Sequence, residues 1–268
     1  MTMDKICRNI RKTMLEISHI GKDGNLQSCF SSVEILWTLY NDLLDVDKRN
    51  FNSAHDRFVL SKGQSNLALM TVLTYKGFIS FNELKTFCKF DSRIAMQADR
   101  TKFDGLIENS AGSLGHGLPI AVGIAWAAKI KNSGERVFVL VGDGELNEGT
   151  MWEAMIFASS EKLDNLTVIV DDNSSIRRLI DIGDINAKLT AFGFEVVIVD
   201  GHETDELKRA FVTSSDKPKV VVAKTVRGYG SKTLMTDRSW FHRYPDENEL
   251  KNLQKEVDIF ETKNATMR

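Results

Sequence analysis

The sequence predicts an α/β fold: a mostly parallel sheet with helices on both of its faces. Three segments of the chain are short and mostly apolar, as in strands that are buried on both faces; they are residues 137–141, 166–170 and 219–223. Segments with helical patterns separate these runs, and strands that alternate with helices form parallel sheets whose crossovers cover both faces. None of the apolar runs is long enough to span a bilayer.

The first part of the chain is predicted to be mainly helical, because its apolar residues recur at helical spacing. The predicted elements are helices over 4–18 and 31–44, a short strand over 57–60, and helices over 64–76 and 81–90. Ser31 or Ser32, with Glu34 after it, is a suitable N-cap for the second of these helices. Gly77 is a suitable C-cap for the third.

The second part of the chain alternates between strands and helices after a glycine-rich turn at positions 112, 115 and 117. The predicted elements are a helix over 117–131, a strand over 137–141, a helix over 149–162, strands over 166–170 and 194–199, a helix over 204–213, a strand over 219–223 and a helix after about 246. We expect residues 1–268 to form a single domain, in which residues 1 to about 110 are a helical elaboration on the α/β core.

The composition excludes several classes of protein. A net charge of -2 gives no electrostatic reason to expect binding to nucleic acid or to an anionic membrane. Cys7, Cys29 and Cys88 have spacings that fit no zinc pattern, so reduced thiols in a cytoplasmic protein are expected. The first 12 residues lack the apolar core of a signal peptide.

Polar residues follow two of the predicted strands. Asp143 comes directly after the strand at 137–141, and Asn173 comes after the strand at 166–170. Ligands of open parallel sheets bind at the carboxyl ends of strands, so neighbouring strands would bring these two side chains together. A carboxylate, an amide oxygen and a backbone carbonyl suit magnesium or calcium, whose open positions phosphate oxygens can fill. The simpler alternative is that Gly142-Asp143-Gly144 is only a turn after a strand.

A wider pattern bears on that choice. Asn173 lies 30 positions after Asp143, which resembles the Gly-Asp-Gly…Asn signature of thiamine-diphosphate enzymes. Residues 141–154 read Val-Gly-Asp-Gly-Glu-Leu-Asn-Glu-Gly-Thr-Met-Trp-Glu-Ala, which resembles the transketolase version of that signature. Further blocks resemble the same family, in the family's order, at 56–63, 112–117, 191–193, 199–202 and 223–225. The resemblance covers nearly the whole chain and implies a thiamine-diphosphate-binding fold.

The resemblance also implies roles for residues that bind the cofactor and its metal. Mg²⁺ (or Ca²⁺) would be held by the side chains of Asp143 and Asn173 and by the backbone carbonyl of Ser175. Gly142 and Gly144 would belong to the turn that binds thiamine diphosphate, with the Gly144 N–H given to the diphosphate.

Other matching positions lie around the ring end of the cofactor. The loop that would contact the thiazolium and aminopyrimidine rings through its backbone consists of Gly112, Ser113 and Leu114. Gln64 could hydrogen-bond the diphosphate. His242 matches a catalytic histidine beside the diphosphate and the reacting carbon.

Two acidic residues match the family's subunit interface. Glu148, which we assign to the catalytic group, and Glu153 would link the paired active sites there. A solvated helix face is the alternative for both.

The resemblance covers the diphosphate-binding part of a complete transketolase and does not extend to its pyrimidine-binding and C-terminal domains. The family's pyrimidine-binding domain supplies the glutamate that acts on the aminopyrimidine ring. The resemblance therefore implies a separate partner subunit, an α2β2 heterotetramer, and no activity from this chain alone. The expected reaction is transfer of a short ketol or acyl unit to an aldehyde or sugar acceptor.

The chain departs from the family where the substrate would bind. Asn25, Gln64 and Gln97 occupy positions of family histidines, and amides do not titrate near neutral pH. Arg177 and Arg178 could bind an anionic substrate or form a solvated pair. These changes leave two alternatives open: a carboligase subunit that decarboxylates a 2-keto acid, and a non-catalytic binding or assembly subunit.

Overall fold

The structure, a computed structural model, describes residues 5–46, 56–103, 105–175 and 180–260. Its centre is a five-stranded sheet in the order β1-β2-β3-β5-β4, and every neighbouring pair of strands is parallel. The strands are β1 (Arg57–Leu60), β2 (Val137–Gly142), β3 (Leu166–Asp172), β4 (Glu195–Asp200) and β5 (Lys219–Lys224). The predicted parallel sheet is confirmed, and β1 shows that the N-terminal part contributes a strand as well as helices.

Helices connect the strands and extend the chain at both ends. They are α1 (Lys5–Gly21), α2 (Leu26–Ser31), α3 (Val33–Thr38), α4 (Asn66–Tyr75), α5 (Phe81–Leu84), α6 (Gly117–Lys131), α7 (Gly149–Ser160), α8 (Ile185–Ala191), α9 (Thr204–Val212), α10 (Lys232–Thr236) and α11 (Glu247–Ile259). Among the described residues, none of these helices is long and apolar enough to cross a membrane.

The sheet separates two apolar cores. Successive side chains of a strand point to opposite faces, so Leu140 and Ile169 pack with α1–α4 and α9, whereas Val139 and Val168 pack with α6, α7 and α8. All residues of β2 and β3 are buried. Helices therefore cover both faces, as predicted, and leave the strand ends as the edge at which polar groups can gather.

Several predicted boundaries are wrong in detail. The range 31–44, predicted as one helix, contains only the last residue of α2, then α3 and a π-helical turn, Leu39–Leu43, and α5 ends well before residue 90. The short helices α2, α8 and α10 were not predicted. Gly77 is confirmed as a helix terminator, since its φ of 76° follows the end of α4.

The serine N-cap prediction is confirmed in its position but not in a capping hydrogen bond. Ser32 occupies the N-cap position of α3 without a side-chain cap, and the hydroxyls of Ser31 and Ser32 instead donate to Asp171 at the end of β3. A buried carboxylate needs these donors more than a helix end needs the cap, because unpaired buried charge is very costly.

Candidate functional site

The three predicted metal ligands lie together at the carboxyl edge of the sheet. Because β2 and β3 pair directly, the segments that leave them are neighbours. Ser175 joins the two: its hydroxyl donates to Asp143 Oδ1 at 2.8 Å, and its backbone N–H donates to Asn173 Oδ1 at 3.1 Å. Asp143 is almost fully buried, with 1% of its surface exposed. The edge therefore presents one carboxylate and one amide oxygen within a single hydrogen-bonded group.

This donor set is the kind that a hard divalent cation accepts. The described residues contain no group of three or more His, Cys, Asp or Glu side chains that could hold a metal. A site here would thus take most of its remaining ligands from backbone carbonyls, from water or from a bound anion. Magnesium usually binds proteins through one or two carboxylates plus substrate phosphates, which fits a site with a single Asp.

Arg227 adds a positive charge beside Asp143, and sequence reasoning missed it. Its Nε is buried and has no hydrogen-bond acceptor in the described part of the chain. Burial lowers the pKa of this guanidinium, and the charge of Asp143 opposes that effect. A buried cationic donor that lacks an acceptor is suited to binding an anion. No signal in the sequence singled out this arginine, because its proximity to Asp143 arises only when β5 lies next to β3.

His242 lies close to this arginine. Its ring makes an edge-to-face contact with Phe241 at 4.5 Å between centroids, and Phe241 in turn lies under the Arg227 guanidinium at 5.5 Å. His242 is exposed and has a φ of 50°, in the left-handed region that is uncommon for residues other than glycine. The predicted histidine is thus exposed to solvent and contacts the same phenylalanine ring as Arg227.

The Gly142-Asp143-Gly144 turn makes more internal hydrogen bonds than predicted. The Gly142 N–H donates to Glu145 Oε2 at 2.9 Å, and the Gly144 N–H donates to Asp143 Oδ1 at 3.0 Å. Glu145 was not singled out from the sequence. A bound diphosphate would have to compete with the Asp143 side chain for the Gly144 N–H. The Gly142 N–H already donates to the buried carboxylate of Glu145.

The predicted ring-binding loop is exposed. Gly112, Ser113 and Leu114 are all open to solvent, and a Cβ at Gly112 would meet no described atom within 4 Å. The loop ends at Gly115, where φ is +79° and a Cβ would lie 2.6 Å from the Cβ of Glu148. Glu148 therefore packs against the base of this loop. Glu153, by contrast, is exposed on α7.

A buried ion pair lies next to these segments. Lys62 Nζ donates to Asp171 Oδ2 at 2.5 Å and to Ser28 O at 2.9 Å, and Lys62 and Asp171 are buried almost completely. Burial alone would raise the pKa of Asp171, but the Lys62 ammonium and the hydrogen bonds lower it. This pair ties the end of β1 to the end of β3, which fixes the segments on either side of β2.

The positions that were predicted to replace family histidines lie in a different environment. Asn25 is 2% exposed, and its Oδ1 has no hydrogen-bond partner among the residues that the structure describes. Gln97 is exposed, and its Oε1 lies 3.1 Å from the place that a Cβ of Gly63 would take. Gln64, which follows Gly63, is partly buried. Gln97 is thus next to Gly63, while Arg177 and Arg178 lie outside the described residues.

Comparisons with known proteins find matches over most of the chain. Residues 3–262 match the protein family described as transketolase, thiamine diphosphate binding domain. A protein of Phocaeicola vulgatus, named as one of the subunits of an apulose-4-phosphate transketolase, is 33% identical over 257 residues, which cover 92% of this chain and 90% of that one. A protein of Rhodococcoides fascians named ferredoxin fas2 is 39% identical over 210 residues, which cover 77% of this chain and 68% of that one.

Solved structures give the same relationship. A transketolase from Campylobacter jejuni superposes with a TM-score of 0.87 at 27% identity, and the match covers 94% of this chain and 42% of that one. The chain therefore spans about two fifths of the length of the single-chain transketolases that it matches.

Proposed function

The chain belongs to the transketolase family, and from that membership we propose that it is the diphosphate-binding subunit of a two-subunit thiamine-diphosphate enzyme. The observation that carries the proposal is the grouping of Asp143, Asn173 and Ser175 at the carboxyl edge of β2 and β3, with Arg227 beside them. The match to the family's cofactor-binding domain over residues 3–262 supports it.

The proposed metal site uses the side chains of Asp143 and Asn173 and the backbone carbonyl of Ser175. Mg²⁺ fits better than Ca²⁺, because a single carboxylate leaves several positions for phosphate oxygens or water. Arg227 would pair with the diphosphate, since charge-assisted hydrogen bonds to phosphate are among the strongest that proteins make. The Gly144 N–H and Gln64 would bind further oxygens.

The rest of the cofactor would be held by exposed groups of this chain. Gly112, Ser113 and Leu114 would orient its rings through their backbone, which their exposure permits. When bound, thiamine diphosphate supplies an electron sink for the carbanion formed from the donor. His242 would lie beside the reacting carbon, where an imidazole can act in proton transfer.

The partner would be a separate subunit with the pyrimidine-binding and C-terminal domains. Exposed apolar side chains on α6 and α7 support this proposal; they are Ile120, Trp126, Ile130, Ile156 and Phe157. Trp126 and Phe157 contact each other edge to face at 5.5 Å, so the two helices share one apolar patch. Patches of this kind mark protein interfaces, and obligate interfaces bury more than about 2,000 Å².

The name of the Phocaeicola vulgatus relative also contains the word subunit, and the match with this chain covers 90% of that relative's length. We propose an α2β2 heterotetramer in which Glu148 and Glu153 lie at the interface between active sites. We also propose a cytoplasmic location, because the three cysteines form no disulfide and reduced thiols are typical of that compartment.

The proposed reaction is transfer of a short ketol or acyl unit to an aldehyde or sugar acceptor. The amides at positions 25, 64 and 97 favour a second candidate, a 2-keto acid as the donor, because they cannot take the proton of a donor hydroxyl. The presence of Asp143, Asn173 and His242 argues against a non-catalytic subunit.

Calorimetry on the complex of both subunits tests the proposal. Thiamine diphosphate should bind in the presence of Mg²⁺ and should bind much more weakly after a chelator removes the metal. Binding that is equally tight without a divalent cation would contradict the proposed metal site, and an absence of binding under both conditions would contradict the proposed function.

A further inference from the structure

Glu145 is a buried carboxyl that the proposed function does not use. It lies two residues after Asp143 and is only 1% exposed. Oε1 accepts hydrogen bonds from Ser61 Oγ at 2.6 Å and from the Gly115 N–H at 2.9 Å, and Oε2 accepts the Gly142 N–H at 2.9 Å. Burial raises the pKa of this carboxyl, and the three donated hydrogen bonds oppose the rise.

These three donors belong to three different segments of the proposed cofactor site. Ser61 follows β1 and leads to the turn that contains Gln64. Gly115 closes the exposed loop that begins at Gly112. Gly142 ends β2 and begins the turn that carries Asp143. One carboxylate is therefore bonded to every segment that would contact thiamine diphosphate from the β1 and β2 side.

Within the described part of the chain, the other contacts of the Gly112–Gly115 loop do not involve the N–H of Gly115. Thr150 Oγ1 donates to Gly115 O at 3.0 Å, which holds the carbonyl of that residue but not its N–H. Gly117 packs so closely on the end of β1 that a Cβ there would lie 2.4 Å from the Cβ of Ser61. Residues 112–114 are exposed on the other side of Gly115. The N–H bond to Glu145 is thus the contact that fixes the base of the loop to the Gly142 turn.

We propose that Glu145 is a positioning residue that sets the spacing between the Gly112–Gly115 loop and the Gly142–Gly144 turn before the cofactor binds. The proposal rests on the proposed function for the identity of the ligand. Its physical basis is that a carboxylate accepts from all three donors and presents no donor of its own. A glutamine has one acceptor oxygen and would direct its NH2 group at the N–H of Gly115 or of Gly142, so one segment would lose its anchor.

The test compares Glu145→Gln with Glu161→Gln, which changes an exposed glutamate at the end of α7 in the same way. Amide hydrogen exchange of residues 112–117, measured on the full chain without cofactor, should become at least about 10-fold faster in Glu145→Gln, because an unmet buried donor costs about 1–3 kcal/mol. In the complex of both subunits, the Kd of thiamine diphosphate should rise by at least about 10-fold for the same reason. The fold-change in Kd should exceed the fold-change in turnover at saturating cofactor, and Glu161→Gln should match the unchanged chain.

A second variant keeps the test decisive if Glu145→Gln does not fold. Ser61→Ala removes one donor to Oε1 and leaves the carboxylate in place, so it should weaken cofactor binding less and in the same direction. Unchanged exchange at 112–117 and unchanged Kd in the variant that folds would overturn the proposal. A lower Tm with exchange that rises uniformly along the chain would also overturn it, since the role would then be structural only. If the unchanged complex binds no thiamine diphosphate, the proposed function fails, and the exchange measurement still decides the role of Glu145.

Discussion

Two parts of the same sheet edge differ in their chemistry. The cofactor side, defined by Asp143, Asn173 and Arg227, is charged and is held together by hydrogen bonds within and between segments. The proposed substrate side, defined by Asn25 and Gln97, carries neutral amides. The cofactor side fits the family pattern, and the substrate side departs from it. From this difference we propose that cofactor binding and donor preference are separable properties of this chain.

The largest expected effect lies on the cofactor side. Asp143→Ala should abolish Mg²⁺-dependent binding of thiamine diphosphate, because a divalent cation would be left with neutral oxygens only. Calorimetry on the complex of both subunits measures this, with Asp216→Ala, an exposed aspartate, as the control. Cofactor affinity that is the same in both variants would show that Asp143 is not a metal ligand.

The substrate side predicts a smaller effect on rate. The assembled enzyme should use xylulose 5-phosphate or fructose 6-phosphate at least about 10²-fold more slowly than an ordinary transketolase does, which is the low end of what general acid–base catalysis contributes. A 2-keto acid or a modified sugar should be a better donor. Trapping the carbanion intermediate with an oxidant compares the donors directly. Fast trapping with xylulose 5-phosphate would mean that the amides replace the histidines without loss.

A third region consists of Arg11, Glu34 and His202. A substitution there should change the stability of the fold and leave donor preference unchanged. Arg11 donates to both oxygens of Glu34 at 2.6 and 2.7 Å, and His202 Nδ1 lies 3.0 Å from the same carboxylate. His202 Nε2 accepts the N–H of Val226, so the ring proton is on Nδ1. This group holds the segment that leads from β5 to Arg227.

Glu34→Gln should lower the free energy of unfolding by about 3–5 kcal/mol, because Arg11 would be left as an uncompensated buried charge. The ratio of rates with two donors should stay the same. Chemical denaturation measures the first quantity and the trapping assay measures the second. A changed donor ratio with unchanged stability would contradict the separation between scaffold and substrate side.

The effect of Glu34 should also depend on pH. Burial alone would raise the pKa of this carboxyl, but Arg11 and His202 lower it to about 2 from an ordinary value of 4.5. The lowered pKa means that its stabilisation is fully present above about pH 4.5 and is lost as the pH falls towards about 2. The difference in unfolding free energy between Glu34→Gln and the unchanged chain should therefore narrow over that range.

Much of the fold could be predicted from the sequence because strands and long helices carry local patterns. The runs at 137–141 and 166–170 are apolar along their whole length, and both are buried strands. The helix α8 was missed because it has only seven residues, too few to show helical periodicity. Ser32 lies at the predicted N-cap position, but its hydrogen bond to Asp171 could not be predicted because the two residues are 139 positions apart.

The residues of the candidate site also divide into those that could be predicted from the sequence and those that could not. Asp143 and Asn173 could be predicted, since each follows a strand and their spacing resembles a family signature. Arg227 and Glu145 could not, because their partners come from other segments and no local pattern marks them. Residues whose role depends on pairing between strands become visible only when the order of the strands is known.

Reconstitution of turnover tests the central claim most directly, that this chain supplies the cofactor-diphosphate half of an enzyme completed by another subunit. The chain is mixed with a subunit that carries the pyrimidine-binding and C-terminal domains, in the presence of thiamine diphosphate and Mg²⁺, and product formation is followed for each component and for the mixture. We predict turnover from the mixture and none from either subunit by itself. Sustained turnover by this chain alone, or a mixture that stays inactive although both subunits associate and bind the cofactor, would contradict the account.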